Sequence, residues 1–137
     1  MHLPRVVFSS WMAWSKRDTF KRWDLPGVYL LAHFDRPRRG PANPQSWRII
    51  YIGETCNRLR DRWVQFHHSA FEGKNEHSGG MTYRRKRKCK RKKLYVAAFP
   101  VDGLSEMVRP SFIRYVERKL LLDFALRWRR PPECNLE

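Results

Sequence analysis

The chain has 137 residues, with 29 Lys and Arg against 13 Asp and Glu, a formal net charge of +16 and an isoelectric point near 10.6. That length holds one core and excludes two, no apolar run approaches the roughly 20 residues of a membrane span, and the N-terminus lacks the apolar centre of a secretory signal. A field of one sign points to a polyanionic partner, with neither a membrane nor a small organic cofactor expected.

Taken in order, residues 1 to 24 set Trp11, Trp14 and Trp23 among Lys16, Arg17, Lys21 and Arg22. Such a mixture serves as an arm that stacks on bases and touches phosphates, or as a strand and short helix packed on the domain edge, with Val6, Val7 and Phe8 adding an edge strand. The segment is read as an extension packing on or flanking a domain over residues 25 to 137, with a basic loop at about 72 to 93. Residues 25–31 (LPGVYLL) and 48–53 (RIIYIG) carry the β-branched and aromatic content of strands, and residues 35–47, with three Pro, three Arg and a Gly, form a loop. Side chains alternate along a strand, so Tyr29 and His33 share one side and Val28 and Leu30 the other. Tyr29 is expected to offer its hydroxyl to a surface or cleft. Tyr51, between Ile50 and Ile52, likewise faces away from the more apolar side. Gly53 is expected to end its strand, and Thr55 or Asn57 to cap the next helix.

Helical spacing links Leu59, Trp63, Phe66 and Ala70, with Arg58 and Arg62 along one edge of the stripe. The segment from 71 to 93 is polar, and His77-Ser78-Gly79-Gly80 reads as a substrate-contact turn or a flexible loop. Nine of the ten residues from 84 to 93 are basic: Arg84, Arg85, Lys86, Arg87, Lys88, Lys90, Arg91, Lys92 and Lys93. Without them 20 basic residues still face 13 acidic ones, so the excess is partly local and partly general. This run stays in water or lies along phosphates, where each contact releases counterions; with Arg58 and Arg60 it forms the expected nucleic-acid-binding set. Cys56, Cys89 and Cys134 are odd in number and hold no Cys-x-x-Cys pair, which favours a reduced compartment and disfavours a structural zinc site.

Residues 94–101 (LYVAAFPV) read as a central strand with Pro100 at its end. A helix follows over about 110–128, opened by a Pro. Steps of about 100° per residue gather Phe112, Ile113, Val116, Leu120, Leu121, Phe124 and Trp128 into one apolar arc. Glu117 falls inside it. A carboxylate on a core-facing arc calls for an Arg partner or a cation.

The tripeptides Gly27-Val28-Tyr29 and Tyr51-Ile52-Gly53, with Arg62 downstream and the closing Pro131-Pro132-Glu133-Cys134-Asn135, resemble the signature of the GIY-YIG nuclease family over about residues 26 to 135. The resemblance implies an α/β (α+β) fold with a small central antiparallel three-stranded sheet flanked by helices. It also implies a catalytic set of Tyr29, Tyr51, Arg62, Glu117 and Asn135. Family members place an Arg about eight residues beyond the second Gly; Asp61 stands there and Arg62 one later, followed by Trp63, with Arg60 as competitor. Where many members have a His or Tyr four residues on, this chain has Phe66, so His67, and after it His33, is the candidate replacement. Glu117 is implied to hold one Mg²⁺ or Mn²⁺, Arg62 to stabilise phosphoryl charge, Tyr29 with Tyr51 or a His to position or deprotonate the attacking water, and Asn135 to support the site.

The expected activity is hydrolysis of phosphodiester bonds in DNA, leaving 5′-phosphate and 3′-hydroxyl ends, by a stand-alone catalytic domain. RNA is a second partner class, and a homo-oligomer a means of gaining specificity. The expected location is the cytoplasm with the nucleoid, or the nucleus in a eukaryotic source. Two rival readings are a retired nuclease that only binds nucleic acid and a basic RNA-binding or assembly protein.

Overall fold

A computed structural model of the chain describes residues 2–87 and 93–135. The architecture is α+β. Strands β1 (Met12–Ala13), β2 (Gly27–His33), β3 (Ile49–Thr55) and β4 (Leu94–Pro100) form one antiparallel sheet in the order β1-β4-β2-β3. The expected three strands are thus joined by a fourth. It is contributed by Met12 and Ala13 rather than by Val6-Val7-Phe8, of which Val6 and Val7 are exposed. Ser9 extends this edge, donating its N–H to the Ala98 carbonyl and accepting the Ala98 N–H on its hydroxyl. These contacts satisfy backbone groups that an open sheet edge would leave bare.

Helix α1 (Leu59–Phe71) and helix α2 (Ser78–Arg87) cover one face of the sheet, and α3 (Arg109–Trp128) covers the other. Because both faces are covered, β2 is buried along almost its whole length, as its unbroken apolar run requires. The segment before residue 25 contributes to both faces, with Phe8 in the core under α3 and Trp14 in the core under α1.

Three local expectations are revised. Gly53 does not end β3, which continues to Thr55 because β2 offers backbone partners as far as Gly27, paired with Thr55. Neither Thr55 nor Asn57 caps α1; Arg58 stands at the cap without a side-chain bond, and the Leu25 carbonyl instead accepts the orphan Leu59 N–H at 2.9 Å. The segment expected as a basic loop carries α2. Its Gly79 and Gly80 weaken a helix in isolation, yet a Cβ at Gly80 would stand 2.8 Å from the Ser69 Cβ and 2.9 Å from the Phe66 carbonyl. Close packing of α2 on α1 thus overrides propensity. Arg84 holds the connection shut, donating to the Ser69 and Lys74 carbonyls and to Asn75 Oδ1.

Candidate functional site

The side of β2 that carries Tyr29 is a second core, not a cleft. Tyr29 is fully buried with Trp63, Phe66 and Tyr83 beneath α1 and α2, because those helices lie over the face that alternation alone left open. The alternation on β3 is also broken. Leu31 pairs with Tyr51 and Ala32 with Ile49, so Ile50 is an extra residue in the ladder and lands on the same side as Tyr51.

Glycines make room for this arrangement. A Cβ at Gly53 would lie 2.5 Å from Tyr51 Cε2 and 2.6 Å from Tyr29 Cζ, and one at Gly79 would lie 2.5 Å from Tyr51 Cε1. The Tyr51 ring is therefore held between a strand glycine and a helix glycine, its centroid 6.0 Å from that of Tyr29.

His77 fixes the Tyr29 hydroxyl. It precedes the first residue of α2, and its Nδ1 accepts the Gly80 N–H at 3.1 Å, as an N-cap side chain does. Accepting there places the ring proton on Nε2, which donates to the Tyr29 hydroxyl at 2.8 Å. Burial first, and the nearby Arg62 cation second, push the imidazole down to about 3, so it stays neutral at ordinary pH. Ser69 anchors the approach, its hydroxyl accepting the N–H groups of Glu76 and His77.

Arg62 reaches the tyrosines from the first turns of α1, its guanidinium set by a 2.6 Å bond to Gln65 Oε1. Burial and the neighbouring Tyr51 raise the Tyr29 pKa well above the ordinary value, while Arg62 pulls the other way. Tyr51 is pushed up to about 12 by burial, with Arg62 lowering it and Glu117 raising it further. Both phenols are neutral at pH 7. Tyr51 is the outer of the pair, lining a cleft of about 180 Å³ with Ser78, Glu117 and Asn135.

Glu117 keeps the inward position that the apolar arc predicts, with 18% of its side chain exposed. Its nearest cation is Arg118 at 3.7 Å, on a side chain that is 82% exposed. Burial and the Glu54 carboxylate raise its pKa above the usual range, and Arg118 offsets only part of this. Glu54, on β3 opposite Val28, lines the adjoining cleft of about 310 Å³ with Arg62, Gln65 and Arg114. Among the described residues no three His, Cys, Asp or Glu side chains come together. A cation here would be held by one or two carboxylates and water.

Asn135 works on the backbone. Its Oδ1 accepts the Ile52 N–H and its Nδ2 donates to the Ile52 carbonyl, both at 2.9 Å, while the Cys134 N–H donates to the Ile50 carbonyl. The chain's end thus closes the outer edge of β3, the strand that carries Tyr51 and Glu54.

The structure brings together Tyr29, Tyr51, Arg62, Glu117 and Asn135. It does not bring His67 to them: the His67 Nδ1 accepts the Trp14 indole N–H at 3.0 Å and its Nε2 lies 3.6 Å from Glu72, because the residue after Phe66 turns to the flank of α1. His33 bonds Tyr83 instead. Sequence reasoning missed His77 and Glu54 as members of the set. The signal for His77 was a histidine directly before small residues able to start a helix; for Glu54, a carboxylate beside a motif glycine. Of the expected nucleic-acid contacts, Arg58 pairs with Asp61, Arg60 with Asp24 and Lys93 with Asp35, each of them exposed. Arg85 donates to Thr82 at 3.4 Å and Lys86 lines a basic groove. The Arg87 side chain and Lys88, Lys90, Arg91 and Lys92 lie outside the described residues. No helix among the described residues is long and apolar enough to cross a membrane.

No protein-family model, no curated protein and no solved structure matches the chain.

Proposed function

We propose that this chain is a divalent-metal-dependent endonuclease of GIY-YIG type that hydrolyses phosphodiester bonds in DNA. The observation that carries this reading is the meeting of Tyr29, Tyr51, Arg62 and Glu117, drawn from β2, β3, α1 and α3, at one edge of the sheet. A purely structural cluster has no need of a guanidinium beside two phenols and an inward carboxylate whose nearest cation is the largely exposed Arg118. The net charge of +16 suits a polyanionic substrate.

Each residue has a task that its surroundings support. Arg62, positioned by Gln65, is aimed at charge building on phosphoryl oxygens. Tyr51 presents its hydroxyl at the cleft and orients the attacking water by a hydrogen bond; with a pKa of about 12 it does so as a neutral phenol. Tyr29 stands behind it, fully buried and locked by His77. His77, the residue before α2, gives the Tyr29 hydroxyl the polar partner that Phe66 on α1 does not. Asn135 keeps β3 in place. The donor chemistry at Glu117 fits a single hard cation with a shell of mainly water, and Glu54 adds to the negative field that would hold it. Bound there, Mg²⁺ or Mn²⁺ would supply Lewis-acid stabilisation to the scissile phosphate.

Phe66, fully buried where a proton-handling residue is expected, favours a second reading: a retired nuclease that binds nucleic acid without cutting it. Nicking of supercoiled plasmid separates the two. With Mg²⁺ or Mn²⁺ at low salt the nuclease reading expects nicks with 5′-phosphate and 3′-hydroxyl ends, and none in EDTA. Tight, salt-sensitive binding with no nick under either metal would overturn it in favour of the retired form.

A further inference from the structure

A second feature lies upstream of Tyr51, in the turn that leads into its strand. Two grooves, of about 510 and 610 Å³, flank the start of β3 and share Trp47 and Arg48. Trp47 is 54% exposed, an unusual state for an indole. The Arg48 guanidinium stacks on it, 4.7 Å from the ring centroid. Around this pair the groove walls carry Arg38, Arg39, Lys86, Arg127 and Arg130. Two acids also line the groove, Glu133 and Asp35, and Asp35 is bound to Lys93 at 3.0 Å.

This combination selects a chemistry. Clustered cations alone would serve any polyanion, including duplex DNA, whose charge is on the outside. An exposed indole among them is of no use to a duplex, because its bases are stacked on one another. It is of use to an unpaired strand, which offers a base face and a phosphate in alternation. An acidic peptide would engage the cations and leave the ring bare.

Position ties the groove to the cleft. Trp47 stands in the turn before β3, four residues ahead of Tyr51, which at the rise of a strand is at most about 13 Å. The boundary between groove and cleft is the chain end, with Pro131 and Glu133 lining the groove and Cys134 and Asn135 lining the cleft. Groove and cleft are thus neighbours across residues 131–135.

We propose that the groove at Trp47 and Arg48 holds an unpaired stretch of DNA next to the scissile phosphate, with a base stacked on Trp47 and phosphates on the surrounding arginines. The place beside a cleaved bond rests on the nuclease reading; the binding itself does not. The preferred substrate is then a duplex interrupted by single-stranded DNA, such as a flap, fork or loop.

The test uses the whole chain in EDTA and labelled DNA of mixed sequence, as a single strand and as a duplex of equal length, read by fluorescence anisotropy at moderate salt. The single strand is expected to bind more tightly. Trp47→Ala is expected to weaken the single strand roughly tenfold, within the range of one base–aromatic stack, and the duplex less than twofold, while Trp47→Phe restores most of the loss. A Trp47→Ala variant that binds single strands as the wild type does, or loses both forms equally, overturns the proposal. Plasmid nicking with Mg²⁺ on the same preparations keeps the readings apart. Trp47-dependent single-strand binding without cleavage supports the groove and sinks the nuclease, whereas cleavage with no effect of Trp47 on single-strand binding sinks the groove alone.

Discussion

The two faces of the sheet are packed from different materials. Under α3 the core is mainly aliphatic and phenylalanine, with Leu30, Ile52, Ile113, Val116 and Phe124 at its centre. Under α1 and α2 it is mainly aromatic and carries polar groups: Tyr29, Tyr51 and Tyr83 among Trp14, Trp63 and Phe66, with the buried His77 bonded to a hydroxyl. An aliphatic core stabilises through area and shape and tolerates no unpaired polar group. The aromatic face holds its histidine by matching both ring nitrogens, Nδ1 to Gly80 and Nε2 to Tyr29, while the buried Trp63 indole N–H is left without a partner among the described residues. One face builds the domain and the other aims side chains, so damage to each should differ in kind.

The largest separation is expected from Arg62→Ala. On the proposed reading, removing a guanidinium that meets phosphoryl charge should lower the single-turnover nicking rate by about 10²–10³, with a smaller change in the thermal midpoint, since Arg62 meets the core only through the Tyr29 hydroxyl. Ile113→Ala should do the reverse. A buried Ile truncated under α3 should cost about 2–5 kcal/mol in urea unfolding, with nicking per folded molecule unchanged. Gly53→Ala should damage both properties, because the added methyl meets two tyrosine rings at under 3 Å; about 1–3 kcal/mol of stability should be lost, together with activity.

The smallest effect is a pH dependence confined to the aromatic face. His77 titrates at about 3 when folded and near its usual value when unfolded. The unfolded chain therefore takes up a proton first as pH falls, so stability contributed by the neutral ring is complete above about 6.5 and is lost on the way to about 3. Between pH 6.5 and 5 the loss should be about 2 kcal/mol, seen as a falling urea midpoint and largely absent in His77→Gln. Glu117 acts with the opposite sign. Its raised pKa means that the native state holds its proton longer, so its contribution is present at low pH and lost as pH rises through the folded value.

The same contrast explains what could be read in advance. The α3 face was legible because a period near 3.6 sorts Phe112, Ile113, Val116, Leu120 and Phe124 from their neighbours and leaves Glu117 as the misfit. Strands β2, β3 and β4 were legible from their β-branched and aromatic runs. The aromatic face was not. Its rings come from β1's neighbour Trp14, two strands and two helices, and no local period records that convergence. The extra residue Ile50 breaks the alternation that was used to orient Tyr51. Helix α2 was hidden because Gly79 and Gly80 signal a turn locally, while their reason for being there is the Tyr51 ring and the Ser69 and Phe66 surfaces. His77 was hidden with it, and His67 was favoured on nearness in sequence to Phe66, whereas the imidazole that meets Tyr29 stands just before the next helix.

The measurement that tests the central claim most directly compares wild type with Glu117→Gln in plasmid nicking with Mg²⁺ and, on the same samples, in DNA binding in EDTA. Gln keeps the size and removes the charge that would hold the cation. The account predicts that binding stays within about twofold and cleavage falls by at least about 10². Cleavage at the wild-type rate by a folded Glu117→Gln protein would contradict it, because the carboxylate on the inner arc of α3 would then have no part in the chemistry.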